Sequence, residues 1–263
     1  MKVALVQICS SLDYKHNLSV LEGLLKEAKV EGASAAFLPE CFYSMSDGTK
    51  PSPYLVEFEN EHFQKIQSLA KKFNIALIGG SVAYESHEEK VLNRAINLDQ
   101  NGELINFYDK RNLFAIDLKK NETQKKIVEA DIYKSGSKPC MVDFNDWKIG
   151  INICFDLRFS ELAYEYRKNG AEVLTYASAF TRPTGKAHWK TLLRARAIES
   201  QCYVIASAQW GEHNERIKTY GHSMIIDPWG EVLVDLEEGD KVSVVEISKE
   251  KVLEVRSQVP MMR

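Results

Sequence analysis

Paired cysteines, charge of one sign and long apolar runs are all missing from this chain, and each absence removes a class of protein. The five cysteines (Cys9, Cys41, Cys140, Cys154 and Cys202) are odd in number and scattered through 263 residues, with none in a Cys-x-x-Cys pair. That argues against a disulfide framework or a zinc knuckle and suggests a reducing, cytoplasmic setting. No apolar run approaches the roughly 20 residues of a membrane-spanning helix, so no membrane is expected as a partner. The opening Met1–Ile8 turns polar too quickly for a signal peptide and reads as a first strand. The 34 basic and 37 acidic residues nearly cancel, to a net charge of -3. This leaves no electrostatic reason to expect nucleic acid as a partner. No linker rich in Gly, Ser or Pro divides the chain, so one domain is expected. Metal-ligand spacing and phosphate-cradling glycine loops are also absent, so no metal and no cofactor is expected.

What is present is an alternation of short apolar runs and amphipathic segments. Val3–Ile8 is followed by a helical pattern through Leu18, Leu21, Leu24, Leu25 and Ala28, then by a strand over Ala35–Leu38. A second helix through Phe63, Ile66, Leu69 and Ala70 leads into the strand Ile75–Ile78. Strands Val91–Leu98 and Glu103–Tyr108 flank the turn Asp99–Gly102. The second half repeats the rhythm, with strands near Val173–Tyr176, Cys202–Ser207, His222–Ile226, Glu231–Val234 and Val242–Ile247. A long helix is expected over about Lys186 to Ser200. Helices between the early strands and hairpins between the later ones predict a layered α/β protein with mixed sheets. Leu118–Lys138 breaks the rhythm: Lys119–Lys126 is polar and aperiodic, which predicts a solvated loop, while its length also suits a lid.

The most informative stretch is Lys148–Leu162. Ile149, Ile151 and Ile153 give the period of a buried strand, and Ser160 reads as the N-cap of a helix carrying Leu162, Ala163 and Tyr166. Cys154 falls at the junction, where free N–H groups and a helix's positive end would lower a thiol pKa and receive an oxyanion. The plain alternative is a small buried hydrophobe. A thiol nucleophile also needs a base. Among the histidines, His16, His62 and His87 lie in polar segments, and His188 and His222 have no spacing that selects either. Glu40 closes the strand Ala36–Leu38 after Pro39, and Lys110 closes Leu104–Tyr108. Ordinary exposed loops would explain each alone. Together with Cys154 they are three reactive side chains at strand ends, where α/β proteins gather their sites.

In order, Phe37-Leu38-Pro39-Glu40, Tyr108-Asp109-Lys110-Arg111-Asn112-Leu113-Phe114 and Gly150–Phe159 resemble the three signatures of the nitrilase (carbon–nitrogen hydrolase) superfamily. The resemblance spans Lys2 to about Arg256, implying a single domain over 1–256 and a tail over 257–263. Ala179-Phe180, Thr184–Trp189, Leu193–Val204 and Tyr220–Gly230 resemble its Nit branch, which includes omega-amidases and amidases of deaminated glutathione. The resemblance implies a four-layer α-β-β-α sandwich, usually paired into a homodimer. It implies Cys154 as nucleophile, Glu40 as general base and Lys110 as the cation facing the oxyanion, with the Phe155 N–H beside it. Glu129, ahead of Gly136, matches a second glutamate. Phe180, Thr184 and His188 fall in stretches expected near the substrate.

Two residues depart from the pattern: Asn112 stands where histidine is common, and Phe155 where tyrosine is common. The implied activity is hydrolysis of a small linear amide, with a nitrilase or carbamoyl-amine hydrolase as alternative and a non-catalytic scaffold as the reading from another class. Arg158 is a candidate for holding a substrate carboxylate, since guanidinium binds that group bidentately. A salt bridge to Glu161 or Glu165 is its competing role.

Overall fold

Side-chain alternation along the strands decides how the layers stack. In a computed structural model, which describes residues 1–120 and 123–261, Val3 and Leu5 enter one buried cluster while Ala4 and Val6 enter another. Ala35 and Phe37 side with the first pair, and Ala36 and Leu38 with the second. A strand buried on both faces needs a covering layer on each side: here the first cluster joins these strands to Ile149, Ile151 and Val173, and the second joins them to Leu21, Leu25, Phe63 and Ile66.

The strands of the first half are β1 (Lys2–Gln7), β2 (Ala35–Phe37), β3 (Ala76–Ile78), β4 (Ser81–Tyr84), β5 (Val91–Leu98), β6 (Leu104–Asp109), β7 (Ala115–Lys120), β8 (Thr123–Val128) and β9 (Tyr133–Lys134). The second half holds β10 (Met141–Phe144), β11 (Trp147–Ile153), β12 (Val173–Ala177), β13 (Tyr203–Ala206), β14 (Trp210–Glu212), β15 (Lys218–Tyr220), β16 (Met224–Ile226), β17 (Val232–Asp235) and β18 (Lys241–Glu246). The helices are α1 (Tyr14–Val30), α2 (Glu61–Phe73), α3 (Ser160–Lys168), α4 (Arg182–Ser200) and α5 (Lys249–Gln258).

One sheet runs β18-β1-β2-β3-β5-β4, with β6 and β9 also paired to β5; the other runs β10-β11-β12-β13-β16-β17. Both are mixed: β1, β2 and β3 are parallel, as are β11, β12 and β13, while the flanking pairs are antiparallel. Helices α1 and α2 cover the outer face of the first sheet. Helix α3 lies so close to the second sheet that a Cβ on Gly150 would stand 2.6 Å from the Tyr166 ring. By alternation Ile149, Ile151 and Ile153 then face inward, as does Thr175, the register partner of Ile151. Thr175 meets Gly79 of the first sheet, where a Cβ would stand 3.0 Å from its hydroxyl. The four-layer α-β-β-α arrangement is therefore the observed one.

Three local expectations need correction. Lys119, Lys120 and Thr123–Lys126 belong to the antiparallel β7–β8 pair and not to a loop, with Ala115 opposite Val128; Asn121 and Glu122 lie outside the described residues. Ser160 is the first residue of α3, and the N-cap is Phe159, which offers no side-chain bond. The chain instead leaves β11 through a 3-10 turn over Cys154–Arg158. Finally, α4 begins at Arg182 with a proline in its first turn, a position where the missing N–H is harmless. Of the expected tail, 257–258 still belong to α5, and Met262 and Arg263 lie outside the described residues.

Candidate active site

Strand β2 delivers Glu40 three residues past its end, and β6 and β11 deliver Lys110 and Cys154 each one residue past theirs. All three line one cavity of about 630 Å3, together with Glu129, Asn93 and Tyr133. At its floor the Lys110 Nζ donates to Glu40 Oε1 at 2.8 Å and to both Glu129 oxygens at 2.9 and 2.7 Å. Glu129 is held in turn by the Phe114 N–H at 2.6 Å. Asn93 Nδ2 donates to Glu40 Oε1 at 2.8 Å and to Glu129 Oε1 at 3.2 Å. Two carboxylate oxygens in that direction require the amide's nitrogen there, so the side-chain orientation of Asn93 is dictated chemically.

Backbone contacts fix the same groups from outside. Gln209 donates to the Glu40 carbonyl at 2.9 Å, and the Lys110 N–H donates to the Asn93 carbonyl at 2.9 Å. Gly136 donates to the Lys110 carbonyl at 2.8 Å. A Cβ on Gly136 would stand 2.2 Å from the Asp109 carbonyl oxygen, so only glycine fits this approach.

Burial by itself would push the Lys110 ammonium down, but Glu129, Glu40 and Cys154 hold it well above the ordinary lysine range. The thiol behaves in the opposite sense to the sequence-based expectation. Burial, then the negative charge of Glu40, push Cys154 well above the ordinary thiol range, while Lys110 and the Ala179 N–H pull it down. The expected lowering by N–H groups and a helix end is outweighed by desolvation. A thiol pushed up in this way calls for a base to activate it. Cys154 also has φ +48°, the left-handed region.

The other expected residues divide. Arg158, Phe155, Phe180 and Thr184 line the cavity. His188 is exposed and does not line the cavity; its ring Nδ1 lies 3.2 Å from an Arg158 nitrogen. The Arg158 guanidinium lies 5.5 Å from the centroids of both Phe155 and Phe180. Its Nε is buried without a hydrogen-bond partner. Glu165 pairs with Arg111 at 3.4 Å, and among the described residues no carboxylate pairs with Arg158. His222 instead stacks on Tyr220 and bonds Asp235 at 2.9 Å. His62 sits in an aromatic cluster, bonded to the Tyr43 hydroxyl at 2.7 Å. Sequence reasoning missed Asn93 and Asp156, although both are polar residues inside apolar runs. That was the available signal.

The model of the family described as carbon-nitrogen hydrolase matches residues 2–257. The chain belongs to that family. It is 40% identical over 240 residues to the Drosophila melanogaster nitrilase and fragile histidine triad fusion protein NitFhit, covering 90% of this chain and 51% of that protein. The chain thus spans about half the length of this relative. The deaminated glutathione amidase of Dictyostelium discoideum is 34% identical over 268 residues, covering 98% of this chain and 91% of the relative. The crystal structure of Saccharomyces cerevisiae Nit3, a member of branch 10 of the nitrilase superfamily, superposes with a TM-score of 0.87 at 30% identity. That match covers 100% of this chain and 95% of the yeast chain. Within the carbon–nitrogen hydrolase family, then, the departures at Asn112 and Phe155 leave the fold intact. Asn112 donates through its backbone N–H at 3.0 Å and its side chain at 2.9 Å to Asp156.

Proposed function

We propose that the protein is a cysteine amidase that hydrolyses a small linear amide bearing a carboxylate, of the deaminated-glutathione-amidase or omega-amidase type. The observation that carries this reading is the Glu40–Lys110–Glu129 cluster, closed within 2.9 Å contacts in the cavity that holds Cys154. The Cys154 Sγ attacks the amide carbonyl carbon while Glu40 takes the thiol proton. Charge developing on the carbonyl oxygen is met by the Lys110 ammonium and the Phe155 N–H. Collapse breaks the carbon–nitrogen bond, and Glu40 returns the proton to the leaving ammonia. Glu40 then takes a proton from water, whose oxygen attacks the thioester carbonyl and releases the acid and the free thiol. Glu129 holds Lys110 and keeps its ammonium charged.

Arg158 supports the carboxylate part of the reading. It offers a half-buried guanidinium with a buried, unpartnered Nε on the cavity wall, and binding an anion there would give that Nε a partner.

Ammonia release from a panel of carboxylated amides, neutral amides, nitriles and carbamoyl amines tests the proposal. Carboxylated amides should be the preferred class, and Cys154→Ala should abolish their turnover with the fold retained. Preference for nitriles or carbamoyl amines would transfer the same trio to the alternative reactions. Turnover by folded Cys154→Ala protein would end the covalent mechanism.

A further inference from the structure

Asp156 is fully buried, and its carboxylate accepts four hydrogen bonds. Oδ2 takes the Tyr108 hydroxyl at 2.8 Å and the Ile153 N–H at 3.0 Å. Oδ1 takes the Asn112 N–H at 3.0 Å and the Asn112 side-chain amide at 2.9 Å. These donors flank the two groups of the proposed reaction. Tyr108 and Asn112 stand two residues before and after Lys110, and Ile153 immediately precedes Cys154. Asp156 and Cys154 also share one 3-10 turn, so the carboxylate is rigidly placed relative to the thiol and to the Phe155 N–H.

We infer that Asp156 is a positioning residue, setting the span between the Lys110 ammonium and the Cys154 thiol by tying both segments to one carboxylate. The inference rests on the amidase reading, in which Lys110 and Cys154 act on the same carbonyl. A carboxylate suits this task because it is acceptor only, and all four groups facing it are donors. Among the described residues it has no salt-bridge partner. Burial pushes its carboxyl up, while the donors and the more distant Lys110 pull it down. The arrangement also accounts for Asn112: it supplies both a backbone and a side-chain donor to Oδ1.

Asp156→Asn keeps the shape but turns an NH2 group toward two of the donors. Adding Asn112→Asp returns an acceptor to face that NH2, restoring one of the lost bonds. With a carboxylated amide as substrate, the single substitution should lower kcat by about 100-fold, the scale of a 1 Å misplacement, with KM changed by less than about 3-fold. The double variant should regain about 10-fold of the lost kcat, a tenfold step corresponding to one hydrogen bond. Alkylation of Cys154 by chloroacetamide, read by intact mass, should slow in the single variant and partly recover in the double. This arm needs no turnover, so an absence of ammonia release by the wild type would defeat the amidase reading while the alkylation rates still judged Asp156. A folded Asp156→Asn protein with wild-type kcat and alkylation would overturn the inference, as would a folded double variant no better than the single. If Asp156→Asn does not fold, Asn112→Ala and Tyr108→Phe each remove one arm of the tie. Either should then lower kcat with KM held, and wild-type kcat in both would overturn it.

Discussion

The floor and the wall of the cavity treat charge in opposite ways. At the floor, Lys110 is bonded to two carboxylates, and Asn93 bridges the same pair. On the wall, Arg158 has aromatic rings, a histidine nitrogen and an unpartnered Nε, with no pairing carboxylate among the described residues. The floor has its cation hydrogen-bonded on the protein's own carboxylates before anything binds. On the proposed reading, the substrate's carboxylate completes the wall. A site built this way keeps its reacting groups preorganised and leaves selection to a separate charge.

The contrast is sharpest at Lys110. Lys110→Ala should lower kcat by on the order of 100- to 1000-fold through loss of an oxyanion partner. It should also destabilise the protein by about 3–5 kcal/mol, because two buried carboxylates lose their cation. Steady-state kinetics and denaturant unfolding read the two effects. A change confined to KM with unchanged stability would break the comparison at the floor.

Arg158→Met should have a smaller effect of a different kind. It should lower kcat/KM for a carboxylated amide by roughly 10- to 100-fold, the weight of a charge-assisted bond, and leave a neutral amide of similar shape nearly unaffected. Unfolding free energy should shift by less than about 1 kcal/mol, since no ion pair is broken. Equal losses on both substrates would remove Arg158 from recognition.

The smallest expected effect is a titration shift. Glu40 is one of the causes that raise the Cys154 thiol, so Glu40→Gln should move that titration down, toward the ordinary thiol range. The sign follows from removing a negative charge that opposes the thiolate, while burial still acts in the upward direction. Thiolate absorbance or the pH dependence of alkylation would measure it. An absent shift would show that Glu40 and the thiol are electrically independent, and an upward one that the charge of Glu40 does not raise the thiol.

The layers were legible because two periods are written into the chain. Ile149, Ile151 and Ile153 alternate, while Leu21, Leu24, Leu25 and Ala28 recur at helical spacing, and all seven are buried. The β7–β8 hairpin was not legible, because backbone pairing leaves no mark in a stretch without an apolar period. At the site, Glu40, Lys110 and Cys154 could be nominated from strand ends, and their meeting could not. The sense of the thiol's pKa shift was missed for the same reason: desolvation depends on what surrounds a group in space. Asp156 was hidden too, since the Tyr108 hydroxyl that completes its shell is 48 positions away.

The left-handed backbone at Cys154 limits which nucleophiles an engineer could install there. Positive φ is a true outlier for β-branched side chains, whose second γ-atom crowds the backbone. A threonine exchange would therefore combine a poorer nucleophile with a distorted turn, whereas serine would change the chemistry alone. Directed evolution toward a hydroxyl nucleophile would be expected to pass through serine and to select against threonine at this position.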